Sequence, residues 1–517
     1  MIPYARYPGL APLFLDFLKG LPRFFPDPPT LDACAARGRE LLAAGRPARI
    51  PASAFRARGA ESERWAQELA AGRAVAVSTG HQVGLFTGPL FTLMKALDAV
   101  HYARELTERG IPAVAVFWAL TDDHDLQEVA RTAKPGPDGP EILILEGADR
   151  QNRQPVGRLP IPEGIGGIVD AFHADAKTDQ AQAVLEAFAR RSAPGVSYGD
   201  AFIETMLDLV APGPLLFIDP LTEPVRQPTV ALFREAVRQA ADLRRILAET
   251  ADALRAEGKA IPAPLPEDFS FFTIDAGGRR RVTDLEAASA RVESGEAWPS
   301  ADVITRPALK SYLIPMAVSV LGAAEIAYHA QSLPLFPLFG IPRPVLMPRT
   351  HVVVRGPSER RLAEQLQIPE AELLQPFTAA SVAVPQADAL ARLAQETERG
   401  LSALTPGLQS LDASLVGALE NASKKIAHQF EQLADRARKS AQRQGDVAAN
   451  RSKRLERALL PVVGGTPAER LYPPLSAMLA FGREEVLAGL REVAGSGPAG
   501  AAVVDVDLAQ TGDRLGG

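Results

Sequence analysis

The amino-acid sequence predicts an α/β protein: a Rossmann-like, doubly wound parallel sheet with inserts, followed by a C-terminal α-helical coiled coil. Three observations predict it. Short apolar runs without alternation recur between helical segments, the pattern of strands buried on both faces. The first run, "RAVAVST" (73–79), opens into a loop with glycines at Gly80, Gly84 and Gly88, which leads into a helix. Near the C-terminus an apolar stripe keeps helical period over a segment too long for one compact core.

Residues 1–72 read as a helical, proline-punctuated lead-in. The core, 73–380, contains "RAVAVST", then "PAVAVFWAL" (112–120), "EILILE" (141–146), "PLLFID" (214–219) and "PVLMP" (344–348) as strands. Strands alternating with helices imply parallel pairing and helices on both faces. Two interruptions, about 133–167 and 260–300, read as inserts, and "FSFFTIDAGGRRRVT" in the second reads as a β-hairpin. Residues 381–462 read as an antiparallel coiled-coil domain, and 463–517 as a segment returning to the core. Thr405 and Pro406 should end one helix near Leu404. The next helix carries Leu408, Leu411, Leu415, Leu419, Ala422, Ile426, Phe430, Leu433 and Ala437, an eleven-residue repeat that keeps the stripe nearly straight. At 1.5 Å per residue, roughly 50 residues span about 75 Å, so this helix is expected to pair with the preceding one and with a second subunit, making a homodimer.

With 517 residues, 46% hydrophobic and 23% charged, the chain is long enough for two or three domains. Its formal net charge of −6 argues against a nucleic-acid partner, which calls for a basic face. The single cysteine, Cys34, permits no internal disulfide, so a reducing compartment, the cytoplasm, is expected. Cys34 lies within a helical pattern and reads as a buried structural thiol. No apolar run approaches the ~18–20 residues of a membrane span, and no signal peptide is expected at the N-terminus.

The stretch "STGHQVGLFTGPLFTLMKALDAV" (78–100) is the first candidate site. Glycine permits positive φ and close approach of a ligand. The loop stands at a carboxyl strand end, where doubly wound folds bind ligands, and the following helix N-terminus favours an anion. Thr79, Gly80, His81, Gln82, Gly84 and Gly88 are the candidate binding residues, with Lys95 reaching back from the helix. The second candidate, "FWALTDDHDLQEV" (117–129), sets Asp122, Asp123, His124 and Asp125 at the next strand end. Such a cluster can take a proton from an amine, while Asp125 with Glu128 three residues on also reads as a capping box. The spacing defines no metal site. A third segment, 321–349, contributes Gly322, Glu325 and Tyr328, and Arg306 and Arg349 are candidate anion clamps.

These segments carry a resemblance. "TGHQVGLFTGPLFTLMKA", "FWALTDDHDLQEV", "TRPALKSYLIPMAVSVLGAAEIAYHAQSLPLFPLFGIPRPVLMPR" and "LTPGLQSLDASLVGALENASKKIAHQ" occur in this order, with "TPAERLYPPL" beyond them. Together they resemble the cysteine-adding enzymes, or cysteine ligases, of bacillithiol biosynthesis. The resemblance implies a nucleotidylyl-transferase-like Rossmann core and a coiled coil that makes a dimer. It implies a ligase that joins the carboxyl group of L-cysteine to the amine of glucosaminyl-malate as an amide. Amide formation needs an activated carboxyl group, so ATP is the expected cosubstrate. Thr79, Gly80, His81, Gln82 and Gly84 would then hold the nucleotide or the activated acyl group, and Asp122, Asp123, His124 or Asp125 would handle the sugar amine. The alternatives are a nucleotidylyl transferase or ligase for another small substrate, and a non-catalytic coiled-coil scaffold with a degenerate core.

Overall fold

The computed structural model describes residues 1–148, 153–265, 269–375, 384–412, 414–462 and 465–507. Residues 149–152 and 266–268 of the two expected inserts lie outside them. So do 381–383 and 413 of the expected coiled coil, and 463–464 and 508–517 of the final segment. The chain divides into two compact units. Met1–Arg360, Pro369–Gln375 and Ala458–Gly517 make one, and Arg361–Ile368 and Pro376–Arg457 make the other.

The first unit is built on five parallel strands: β1 (Val75–His81), β2 (Ala113–Ala119), β3 (Leu215–Ile218), β4 (Met316–Leu321) and β5 (Val345–Pro348). They lie in the order β3-β2-β1-β4-β5, and Phe55–Arg56 adds an antiparallel edge beside β3. Every residue of β2, β3, β4 and β5 is buried, as expected of strands covered on both faces. β1 and β2 pair in register from Val75 with Ala113 to His81 with Ala119. Helix α1 (Leu90–Glu108) covers the sheet with Leu93, Met94, Leu97 and Leu106, all buried. Chain direction across the sheet reverses between β1 and β4, so the open crevice of a doubly wound fold lies outside His81 and Leu321.

Two expectations about strands need correction. "EILILE" does not join the core sheet. Gly139–Ile144 pairs antiparallel with Arg131–Gly136 in a separate hairpin, leaving Ile142 and Ile144 about half exposed. The turn at Pro137 and Asp138 between Gly136 and Gly139 makes local pairing cheaper than crossing to the core. The place beside β1 is taken by β4, a strand not anticipated from the sequence. The predicted hairpin forms from Phe271–Asp275 and Gly278–Arg281, and Trp298–Ala301 adds a third strand. At the chain's end, Ala501–Asp505 pairs parallel with His351–Arg355. Cys34 is fully buried in the helix Leu31–Ala44, and burial pushes its thiol up to about 12, as suits a structural cysteine.

The second unit contains helices Pro385–Ser402, Thr405–Leu411 and Ser414–Leu459 as far as Arg457. The first helix ends close to the expected Leu404. The long helix starts later than its stripe suggests. Asp412 is extended (φ −161°, ψ 123°) and its carboxylate accepts from the Ser414 amide at 2.8 Å, so Leu408 and Leu411 fall on a separate short helix. No helix among the described residues is long and apolar enough to cross a membrane.

Candidate active site at the switch point

β1 delivers Thr79, Gly80 and His81 to the crevice. Gly80 is required by close approach: a Cβ there would lie 2.6 Å from the Trp118 carbonyl on β2. Beyond it the loop is strained. Phe86 (φ 52°), Thr87 (φ 74°) and Gly88 (φ 69°) are all left-handed, and the two non-glycine residues cost about 1–3 kcal/mol each. Phe86 is held by edge contacts with Phe172 and Phe188, at 5.6 and 6.1 Å between ring centres. The loop amides are less available than expected. Gly88 N donates to Leu85 O, Leu90 N to Tyr472 O, and Thr92 N to Pro89 O.

Lys95 does reach back. Its buried ammonium lies 2.5 Å from Glu325 Oε2 and 3.1 Å from the Gly80 carbonyl. Glu325 sits on α3 (Ala323–Ser332), and Gly322 N donates to the same carboxylate oxygen at 2.7 Å. Burial lowers the Lys95 pKa, with Glu325 opposing; burial would raise that of Glu325, but Lys95 holds it below the usual carboxylate range. The result is a partly buried ion pair spanning the switch point, with Lys95 enclosed and Glu325 a quarter exposed. Helix α2 (Arg306–Leu313) adds Arg306 and Lys310, and Lys310 Nζ donates to the Thr79 carbonyl at 3.2 Å.

Two cavities open here. A small one, about 70 Å³, is lined by Gly80, His81, Arg306, Lys310, Glu325 and Tyr328 among others. A larger one, about 340 Å³, is lined by His81, Gln82, Gly84, Gly88, Phe91, Glu128, Arg131 and Arg470 among others. His81 borders both. Its ring packs on Phe91 at 4.9 Å, and burial with Lys95 nearby lowers its pKa to about 3, so the imidazole is neutral.

The acidic turn meets the glycine loop, outside the lining of either cavity. Gln82 Nε2 donates to Asp123 Oδ2 at 2.8 Å, while Asp123 Oδ1 accepts from His124 N at 2.7 Å and Arg279 Nη1 at 3.1 Å. Burial would raise the Asp123 pKa, but the bonds from His124 and the charge of Arg279 hold it well below the usual range. A carboxylate so held is a weak base, and its hydrogen bonds tie the acidic turn to the glycine loop and to Arg279. His124 Nδ1 is fixed 3.2 Å from Arg279 Nη1 and 3.3 Å from Asp123 Oδ1. Asp122 is buried and accepts from Ser300 Oγ at 2.6 Å. Asp125 is exposed and caps helix Leu126–Val129 by accepting from Glu128 N at 3.1 Å. None of these four residues lines either cavity.

Two binding expectations also change. Thr79 Oγ1 is spent on the Val320 carbonyl at 2.9 Å. Arg349 is no free anion clamp, because Glu469, buried with it, takes both Nη1 (3.0 Å) and Nη2 (2.8 Å). Gly80, His81, Gln82, Gly84, Gly88, Arg306, Glu325 and Tyr328 remain at the cavities. Sequence reasoning missed Lys310, although its spacing of four from Arg306 places both on one helix face. It missed Arg279, one of three consecutive arginines whose sequence gives no sign of which is buried. Arg131 and Arg470 carried no signal that could have found them, and Glu128 reads in the sequence only as part of a helix cap.

The order of strands, the crevice at their reversal and the appended long helix define a Rossmann-core protein with a small-molecule site and a helical second unit. Comparison with known families names that class more closely. Residues 52–350 match the N-terminal Rossmann-like domain of bacillithiol biosynthesis BshC, and residues 361–491 match its C-terminal coiled-coil domain. The chain belongs to the BshC family of bacillithiol biosynthesis. It is 28% identical to "Putative cysteine ligase BshC" of Koribacter versatilis, across 75% of this chain and 76% of that protein. The protein of the same name from Salinibacter ruber is 27% identical, covering 77% and 76%. That from Solibacter usitatus is 28% identical, covering 79% and 80%.

Proposed function

We propose that this chain is a cysteine ligase of bacillithiol biosynthesis, joining the carboxyl group of L-cysteine to the amine of glucosaminyl-malate. The observation that carries the reading is the position of His81 between two cavities. A small, charged cavity suits an amino acid, and the larger one suits a sugar conjugate. Reacting carboxyl and amine groups then meet at the His81 ring. Its imidazole, kept neutral by burial, orients the amine by hydrogen bonding without adding charge. The Lys95–Glu325 pair fixes the wall against which the acyl group rests, and preorganised donors of this kind stabilise a developing oxyanion by roughly 3–4 kcal/mol each.

ATP is the proposed activator: a phosphoryl or adenylyl group placed on the carboxylate oxygen, with release of ADP or pyrophosphate, would let the amine displace that oxygen as phosphate or AMP. In this reading the larger cavity takes the phosphate-bearing group beside the sugar conjugate: Gly84 and Gly88 line it without side chains, and Arg131 and Arg470 line it with cations. The cysteine thiol passes through unmodified, since the protein's only cysteine is buried elsewhere in a helix. The second unit serves as a homodimer interface. Leu415, Ile426 and Leu433 expose 39%, 37% and 51% of their surface along one stripe of the long helix, apolar area that a second copy would cover. Incubating the protein with L-cysteine, glucosaminyl-malate and ATP, and weighing products by mass spectrometry, tests the reading. An ATP-dependent amide of the two substrates is expected, and absence of any amide overturns it.

A further inference from the structure

We propose that Lys310 and Arg306 form a carboxylate-binding subsite in the small cavity at the switch point, and that a carboxylate bound there shares its negative charge with both. The argument begins with charge balance. Two cations, Lys310 and Arg306, and one carboxylate, Glu325, line the cavity, and Lys95 lies against that carboxylate. Glu325 is committed to Lys95 at 2.5 Å and to the Gly322 amide at 2.7 Å. Asp302, close to Arg306 in the chain, is committed to the Ile304 and Thr305 amides at 2.9 Å each. Lys310 has Thr79 O as a neutral acceptor and no ion-pair partner among the described residues. The Arg306 Nε is buried without a hydrogen-bond partner, while its Nη2 donates to Ala301 O at 3.3 Å. A buried donor without an acceptor is unfavourable, so an acceptor entering the cavity at Arg306 Nε would complete the site. Spacing of four residues on α2 brings the two side chains to the same face, and both line the cavity.

The consequence is a proton linkage. The groups around Lys310 are Glu325, Tyr328 and His329 on α3, Lys95 on α1, His81 at the end of β1, and Arg306 on its own helix. Burial, with Lys95 and Arg306 adding to it and Glu325 opposing, lowers the Lys310 pKa to about 7. Tyr328 is pushed up by burial and stays neutral; His329 is lowered to about 4 and also stays neutral. A carboxylate against Lys310 raises its pKa again. Above pH 7, binding therefore takes up a proton, and the dissociation constant grows about tenfold per pH unit until the bound-state pKa is reached. Below pH 7 the lysine is already charged, and binding takes up none.

That the carboxylate belongs to L-cysteine rests on the ligase reading; the subsite and its linkage do not. Calorimetry of L-cysteine binding at pH 8 and pH 6, each in two buffers of unlike ionisation enthalpy, counts the protons. Wild type should take up close to one proton more than Lys310→Gln at pH 8 and no more at pH 6. Lys310→Arg should bind without that uptake, and Arg306→Gln should weaken binding at least tenfold. L-cysteine methyl ester, which lacks the carboxylate, should bind at least tenfold more weakly than L-cysteine. Equal proton counts in wild type and Lys310→Gln overturn the proposal, as does a methyl ester that binds as tightly as the acid. Inorganic phosphate matching cysteine in affinity and uptake overturns the carboxylate assignment. A protein that binds cysteine with the uptake and yet makes no amide would sink the ligase reading and uphold the subsite.

Discussion

Gln82 and Asp123 join the two turns at the mouth of the sheet: the Gln82 amide donates to the Asp123 carboxylate at 2.8 Å. One side chain comes from the loop after β1 and the other from the turn after β2. Asp123 is fixed in turn by Arg279 of the three-stranded insert, whose guanidinium also lies 3.7 Å from the centre of the Phe272 ring. The insert, the acidic turn and the glycine loop are thus joined by hydrogen bonds, and Gln82 carries that link to the wall of the larger cavity.

Gln82→Ala should therefore uncouple the loop from the turn. A hydrogen bond to a charged acceptor is worth about 1.5–3 kcal/mol, and urea unfolding should show a loss of that order. In amide synthesis, the KM for the sugar substrate should rise more than the KM for cysteine, since Gln82 lines the larger cavity alone. Unfolding and both KM values within error of wild type would show that the bond holds nothing in place.

Glu325→Gln leaves the Lys95 ammonium buried beside a neutral group. Breaking a fully buried pair costs about 3–5 kcal/mol, and because Glu325 is a quarter exposed the loss should fall at or below the lower end of that range. Adding Lys95→Met to that variant removes the stranded charge and should recover most of the loss. Urea unfolding of the two single variants and the double variant measures the coupling, and a coupling near zero would contradict the geometry.

Asp98 on α1 gives a pH signature. Its carboxylate accepts from Thr350 N (2.6 Å), Thr350 Oγ1 (2.7 Å) and Gly495 N (2.7 Å), but burial outweighs these bonds and raises its pKa to about 6. Between pH 4 and 6 the folded protein keeps a proton that the unfolded chain has lost. Stability from this group is thus full below about pH 4 and falls as pH rises through 6, by about 3 kcal/mol. Asp98→Asn should be less stable overall, through a lost acceptor, and should lack that slope. Denaturant midpoints measured from pH 4 to 7 for both proteins decide the matter.

The stripe on the long helix bears on assembly. Ile426→Asp with Leu433→Asp places two charges on the apolar line and should convert the proposed dimer to a monomer in analytical ultracentrifugation, with the helical circular dichroism of the first unit retained. A wild-type protein that sediments as a monomer would remove the dimer.

Local pattern determined a large part of this protein. The continuous apolar runs of β1, β2, β3 and β5, the glycine loop before α1, the cap at Asp125 and the interruption near Pro406 all depend on neighbours a few residues away, and such preferences are written in adjacent residues. The long helical stripe and the family segments belong to the same kind of information. Tertiary structure alone decided the rest, because electrostatic and packing energies depend on separation in space. Arg349 has the look of an anion clamp until Glu469, 120 residues later, is found against it. Asp123 has the look of a base until Arg279 and Gln82 fill its oxygens. "EILILE" has the look of a core strand until a nearby turn offers it a closer partner. Lys310 is an ordinary helical lysine until the fold encloses it among other cations and denies it a carboxylate.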